Sequence, residues 1–380
     1  MGREVNTMPN TRLLGLYIHI PFCKSKCAYC DFYSLAHSEE KMDAYCAALC
    51  CHLRKAAPDA AEHPVDTVYF GGGTPSYLGA ERLTALLESV RSNYRILPDA
   101  EITLEANPDS ARDAAALRTL RAAGFNRLSL GAQSFDDAEL RSVGRIHTSE
   151  EIAQAVRAAR EAGFDNLSLD LIYGLPRQTM VRWRENLAAA IALDPEHLSC
   201  YGLKVEEGTP LYVRRESAQL PDDDAQADFY IETVRILKEH GYTQYEISNF
   251  SKAGRESRHN LKYWTLGEYL GFGPGAHSDF GGRRFAVARD LDTYLSGQIR
   301  YSEDRAINAQ ERREEYLMLG LRTVRGIAAQ ETDAPFDGVE SVLRTCGQHG
   351  LAEYTAGRWH LTPQGFLVSN SIIARVLDEV

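Results

Sequence analysis

The chain reads as an α/β protein of 380 residues. An incomplete (β/α)6 barrel spans 1–250, a connecting segment spans 251–304, and a small winged-helix-like α+β domain spans 305–380. Three observations predict this. Short apolar strands alternate with helices through the first two-thirds, as parallel strands with helical crossovers do. One αβ unit repeats: "LRAAGFNRLSLGAQ" is echoed by "AREAGFDNLSLDLI" and, more loosely, by "LKEHGYTQYEISNF". Polar or glycine-rich groups also gather at the C-terminal ends of the strands, the rim where a (β/α) barrel builds its site.

Residues 14–20 alternate as a strand and enter a cysteine-rich loop, then a helix over 42–55. The strand at 65–70 runs into "GGGTPS" and the helix 80–91. The strand 100–105 ends on Glu105 and precedes the helix 113–123. Residues 126–130 lead to Gln133 and the helix 150–162. Residues 166–172 carry Asp170 and precede the helix 182–193. The strand 197–201 runs into "YGLKVEEGTP". Each copy of the repeat stops its helix at a glycine (Gly124, Gly163, Gly241), the residue suited to the left-handed position past a helix end. Six units rather than eight predict an open barrel with room for a large substrate. An ordinary dinucleotide-binding sheet is disfavoured, because "GGGTP" lacks G-x-G-x-x-G spacing. Beyond 305 the order is helix, helix, hairpin, helix. No lysine- or arginine-rich recognition helix appears there, so packing or a partner role is expected rather than DNA binding.

The formal charge of −11 argues against extended contact with a phosphate backbone. No apolar run approaches the roughly 18 residues of a membrane helix, and residues 1–13 are polar, unlike a secretory signal. A soluble, cytoplasmic protein without stable membrane insertion is expected. The eight cysteines cluster at short spacing, which in that setting points to metal binding or catalysis rather than disulfides.

The stretch "YIHIPFCKSKCAYCDFYS" spaces Cys23, Cys27 and Cys30 as C-x3-C-x2-C. Three thiolates can hold three corners of a [4Fe–4S] cube and leave one iron open to a small molecule. Lys24 and Lys26 would offset part of the cluster's charge. The plainer alternative is zinc, completed by His19 or Asp31. Cys46, Cys50 and Cys51 follow on the next helix and read as small buried hydrophobes.

C-x3-C-x2-C with an aromatic before its third cysteine resembles the radical S-adenosylmethionine (SAM) superfamily. That resemblance implies a radical-SAM barrel with a [4Fe–4S] cluster and SAM on the open iron. It also suggests contacts to SAM from Tyr17, Tyr29, Gly72, Gly73, Thr74, Glu105, Gln133, Arg145 and Asp170. Tyr17 and His19 share a strand face. Glu105 suits the SAM ammonium, Asp170 the ribose hydroxyls, and Arg145 a carboxylate. For any one of these, a satisfied polar residue of the barrel interior is the plainer reading.

"YIHIPFC", "GGGTPS", "LSLGAQSF", "LDLIYGLPRQT" and "GFGPGAHS" resemble the oxygen-independent coproporphyrinogen III oxidase group, and so does the C-terminal module. Within that group the chain is most similar to the HemW haem chaperones. Phe32 stands where the decarboxylating enzymes carry a further cysteine, only 22 residues precede Cys23, and "RHNLKYW" matches the H-N-x-x-Y-W motif of HemW proteins. This resemblance implies haem as a further cofactor, with His259, Tyr263, Trp264 and His277 as contacts. It also implies apo-haemoproteins as partners and a homodimer, with no catalytic residue assigned. The alternative is the enzyme that converts two propionates of coproporphyrinogen III to vinyl groups, with a second SAM near Tyr29, Gly73, Thr74 and Gln133. A radical SAM enzyme acting on RNA is disfavoured by the acidic charge.

Overall fold

The computed structural model describes residues 13–332 and 335–380. The polar N-terminal stretch therefore lies, through residue 12, outside the described residues. Six parallel strands form the barrel: β1 (Leu14–Ile20), β2 (Val65–Gly72), β3 (Ile96–Ala106), β4 (Arg127–Gln133), β5 (Leu167–Tyr173) and β6 (His197–Gly202). Five crossover helices connect them: α1 (Met42–Ala56), α2 (Ala80–Asn93), α3 (Ala114–Ala123), α4 (Ser149–Glu161) and α5 (Met180–Ala192). The repeat's local chemistry is visible at its helix ends. Thr148 and Glu151 form a capping box at the start of α4. Gly124 takes φ +114° after α3, its N–H bonding the carbonyls of Leu120 and Arg121.

β1 does not close onto β6. It pairs in parallel with a strand at Tyr269–Phe272, and β6 pairs antiparallel with one at Asn249–Ser251. The sheet stays open and, among the described residues, has twelve strands. The stretch 251–304, expected as a connection, extends the sheet beyond the Tyr269–Phe272 strand with successive antiparallel strands at His277–Phe280, Arg283–Val287 and Tyr301–Ala306. It also supplies a short helix, α6 (Arg258–Trp264).

Period-two alternation divides the barrel strands between two environments. Leu14, Leu16, Ile18, Val68, Phe70, Ile102, Leu104, Leu128 and Leu169 are buried in the layer under the helices. The opposite parity is polar: Thr67, Glu101, Thr103, Arg127, Ser129, Ser168, His197 and Ser199 are buried inside the barrel. A polar interior of this kind is stable only where its members pair with each other or with a ligand.

The C-terminal region contains helices at Ala309–Gly320 and Asp337–Gln348, a hairpin at Ala352–Thr355 and Arg358–Leu361, and a last helix at Ser369–Leu377. Leu317, Leu343, Trp359 and Ile372 share a separate apolar core, which also takes in Tyr230 of the helix Asp223–Glu239. Among the described residues no helix is long and apolar enough to cross a membrane.

Candidate functional site

A cavity of about 450 Å³ opens at the C-terminal ends of the barrel strands. Cys23, Cys27 and Cys30 all line it. The backbone anchors their loop: the Ala28 N–H donates to Val143 O at 2.9 Å, and Ala28 O accepts from Leu211 N–H at 2.8 Å. The thiols are free. Thr74 Oγ1 donates to Cys23 Sγ at 3.4 Å, and Arg145 Nη1 donates to Cys27 Sγ at 3.5 Å. Burial pushes the Cys23 and Cys30 thiols up from their ordinary value, so an electrophile such as a metal is needed to hold them as thiolates at neutral pH. His19 is unsuited to completing a zinc site. Its Nε2 bonds Tyr33 O at 2.9 Å and its Nδ1 bonds Tyr17 OH at 3.1 Å.

The glycine loop after β2 lies against the cysteines. Gly73 N–H donates to Ile20 O at 2.8 Å, and Thr74 N–H to Phe22 O at 2.8 Å. A methyl group on Gly73 would sit 2.8 Å from Phe22 O, 2.9 Å from Ile20 O and 3.0 Å from Cys23 Sγ. Only glycine allows the backbone to approach this closely. Gly72 has φ +115°, and its N–H donates to Glu105 Oε2 at 3.1 Å. Tyr69 OH donates to Glu105 Oε1 at 2.6 Å. Burial raises Glu105 to about 7, with the nearby Asp170 adding to the effect and the two hydrogen bonds opposing it.

Across the cavity, Gln133 is held at φ +64° where the β4–β5 register shifts, which turns its amide inward. Arg145 is tied through Nη2 to Asn107 Oδ1 at 2.8 Å and to the Gly131 carbonyl. Its Nε has no hydrogen-bond partner. Asp170 accepts from Ser199 at 2.7 Å, Ser129 at 3.1 Å and Ser168 at 3.3 Å, while burial pushes its carboxyl up.

Eight of the nine residues expected to contact SAM therefore line this one cavity, along with the three cysteines. Tyr17 does not. It lies deeper, bonded to His19 and stacked on Tyr69 with ring centroids 6.2 Å apart. Lys26 lines the cavity, whereas Lys24 faces Asp109 at 3.9 Å. Phe32, 63 % exposed, stands at the cavity mouth. Cys46 and Cys50 pack against the main core, as expected for small hydrophobes, and Cys51 is exposed.

Asn107 and Arg127 are among the cavity residues that escaped the sequence reading. Asn107 bridges Thr74 Oγ1 at 3.0 Å and Arg145. Arg127 is buried in the cavity wall with Nε unpartnered. Parity was the available signal for Arg127, because it shares the inward face of β4 with Gln133. Asn107 lies just past β3 and gave no such signal.

The expected haem contacts separate. His259 is 1 % exposed and has both ring nitrogens engaged: Nδ1 with Thr67 Oγ1 at 2.9 Å and Nε2 with Tyr263 OH at 2.9 Å. Burial lowers it to about 3. It is therefore not presented to a ligand, contrary to the expectation from its motif. Tyr263 packs edge-on against Tyr269 at 4.7 Å, and Trp264, at the end of α6, is partly buried. His277 is exposed at the start of its strand, and partial burial together with Arg289 and Arg284 lowers its pKa.

The cavity fits a thiolate-ligated cluster carrying a zwitterionic ligand. It offers three thiols, a glycine cradle beside them, the carboxylate of Glu105 held by Tyr69 and Gly72, and two arginines, Arg127 and Arg145, whose Nε atoms are unpartnered. Comparisons with known proteins agree. The family model of the radical SAM superfamily matches residues 17–190, and that of the HemN C-terminal domain matches 307–368. The heme chaperone HemW of Bacillus subtilis is 36 % identical over 96 % of this chain and 99 % of its own length. The HemW of Escherichia coli is 37 % identical over 96 % and 98 %. The solved structure of coproporphyrinogen III oxidase (HemN) from Escherichia coli, described as a radical SAM enzyme, superposes with a TM-score of 0.84. It is 27 % identical, over 97 % of this chain and 91 % of that one.

Proposed function

Since this chain belongs to the HemW family of the radical SAM superfamily, we propose that it is a haem chaperone that binds haem and hands it to apo-haemoproteins. Cys23, Cys27 and Cys30 hold a [4Fe–4S] cluster on this reading, and SAM occupies the open iron. The observation that carries the cofactor assignment is the single cavity shared by the three thiols and by Glu105, Gln133, Arg145 and Asp170. Bound there, cluster and SAM supply one-electron chemistry that protein side chains lack.

The chain's own residues bind and orient. Glu105, fixed by Tyr69 and Gly72, receives the SAM ammonium. Arg145 faces both Cys27 and the ligand, and its charge offsets that of the thiolates. Gly72, Gly73 and Thr74 provide backbone contact to the amino-acid end. Tyr29 and Gln133 flank the ligand, and Asp170 takes the ribose hydroxyls. Haem docks near the cavity mouth with His277 as iron ligand. That imidazole is exposed, and partial burial lowers its pKa, which favours the neutral ring that coordination requires. Tyr263 and Trp264 then support the fold of α6 and do not stack on porphyrin. A cytoplasmic homodimer belongs to the same reading.

The likeness to HemN favours one alternative, coproporphyrinogen III decarboxylation. Phe32, in place of a further cysteine, weighs against it. Anaerobic cluster reconstitution, followed by SAM, a reductant and either haem or coproporphyrinogen III, separates the two. Tight haem binding without protoporphyrinogen supports the chaperone. Steady decarboxylation overturns it.

A further inference from the structure

The segment Arg258–Trp264 has haem-like residue types, yet it is built into the barrel from the N-terminal ends of the strands. Glu101 on β3 accepts the backbone N–H groups of Arg258 and His259, each at 3.1 Å. Lys262 Nζ bonds Asp66 Oδ1 at 2.7 Å and Leu13 O at 3.1 Å. Gly15 on β1 leaves the space: a methyl there would sit 2.8 Å from Lys262 Cδ and 3.2 Å from His259 Cε1. The helix closes the floor of the barrel, and Asn260 reaches the cavity lining above it.

Tyr69 joins floor and cavity. The His259 ring stacks on it with centroids 5.2 Å apart and planes at 24°. Tyr17 stacks on both rings, at 6.2 Å from Tyr69 and 6.4 Å from His259, each at 26°. The far end of Tyr69 carries the hydroxyl that holds Glu105 Oε1 at 2.6 Å. Glu105 thus has two anchors, the Gly72 backbone and Tyr69 OH, and the second is only as fixed as the ring that bears it. His259 is immobilised in turn by Thr67 and Tyr263.

We propose that His259 is a positioning residue for the ammonium end of SAM, acting through the stack on Tyr69 and the Tyr69–Glu105 hydrogen bond. The H-N-x-x-Y-W segment of this chain thereby serves the SAM site from beneath. This inference rests on the reading above that Glu105 receives that ammonium.

The test uses the full chain with its cluster reconstituted anaerobically. SAM affinity is read by equilibrium dialysis, and the SAM-induced change in the electron paramagnetic resonance spectrum of the reduced cluster is read alongside. Haem affinity is titrated separately. Glu105→Gln tests the underlying reading: unchanged SAM affinity there overturns the reading and the inference together. With Glu105→Gln impaired, His259→Gln, which removes the ring, is expected to weaken SAM binding about tenfold and blunt the spectral change. His259→Phe keeps the stack and is expected to stay within about threefold. Tyr69→Phe is expected to match His259→Gln, and the double variant to lose little more, since both act through one contact. A purely structural role would not single out the spectrum or favour phenylalanine. Unchanged SAM affinity in both His259→Gln and Tyr69→Phe overturns the inference, and so does His259→Gln losing haem while keeping SAM. Should His259→Gln fail to fold, Tyr69→Phe alone decides by the same criterion.

Discussion

Replacing Glu105 with glutamine is expected to make the protein more stable at high pH while abolishing tight SAM binding. The carboxyl is raised from 4.5 to about 7, chiefly by burial. As pH rises through that window the unfolded chain ionises freely, whereas the folded chain must place a charge in a low-dielectric cavity. Wild-type stability therefore falls between pH 4.5 and about 7. At roughly 1.4 kcal/mol per pH unit, the full effect is about 3 kcal/mol by pH 8 and about 1 kcal/mol at pH 5. Glutamine escapes this cost. Its carbonyl still accepts from Tyr69 OH, but its amide then faces the Gly72 N–H, and the lost bond costs about 1 kcal/mol. The net expectation is a gain of about 2 kcal/mol at pH 8 and none at pH 5. Urea unfolding of both proteins without SAM, followed by circular dichroism at the two pH values, measures it. A stability difference that is the same at pH 5 and pH 8 would refute an ionisable carboxylate whose desolvation the fold sustains for its ligand.

Gly73→Ala is expected to cost about 1–3 kcal/mol, because the methyl meets two backbone oxygens that cannot rotate away. It should also lower iron content after reconstitution, since Cys23 is the third neighbour it crowds. Wild-type SAM affinity should rise as pH approaches about 7 and level off above it, in equilibrium dialysis, because only the ionised Glu105 attracts an ammonium. A flat profile from pH 5.5 to 8 would remove that role. His277→Ala should weaken haem binding at least about tenfold in absorbance titrations and leave SAM affinity unchanged. Undiminished haem binding would exclude His277 as the ligand.

The strands were legible because their two faces differ so sharply in chemistry. The expected 14–20 is the observed β1, and the other five barrel strands differ by a few residues at their ends. Most of those differences lie at C-terminal ends such as Gly71–Gly72 and Ala132–Gln133, where the sequence turns glycine-rich or polar while the backbone still pairs. The cavity was legible for the same reason, since side chains at strand ends of one parity must converge. Local pattern does not reveal long-range pairing. The strand at Tyr269–Phe272 docks beside β1 from more than 250 residues away, so 251–304 looked like a connection. Asn107 has meaning only through Thr74 and Arg145, one from an earlier unit and one from a later unit.

The two histidines show what residue type alone leaves undetermined. Both sit in motifs that suit haem, and both are neutral at pH 7 because burial or neighbouring cations disfavour the charged ring. Coordination also needs a free nitrogen lone pair. His259 follows Ser257, whose side chain caps α6, and Glu101 holds the first N–H groups of that helix, so its ring is delivered inward between Thr67 and Tyr263. Freeing a nitrogen for iron would leave a buried hydroxyl unpaired, at a cost of about 1–3 kcal/mol, and would unstack Tyr69 from the residue that steadies it. His277 faces no such conflict, because its strand follows the Gly273 and Gly275 turn and leaves the ring in solvent. On the proposed reading His277 ligates iron while His259 stays committed to the stack beneath the SAM site, so haem and SAM do not compete for a side chain.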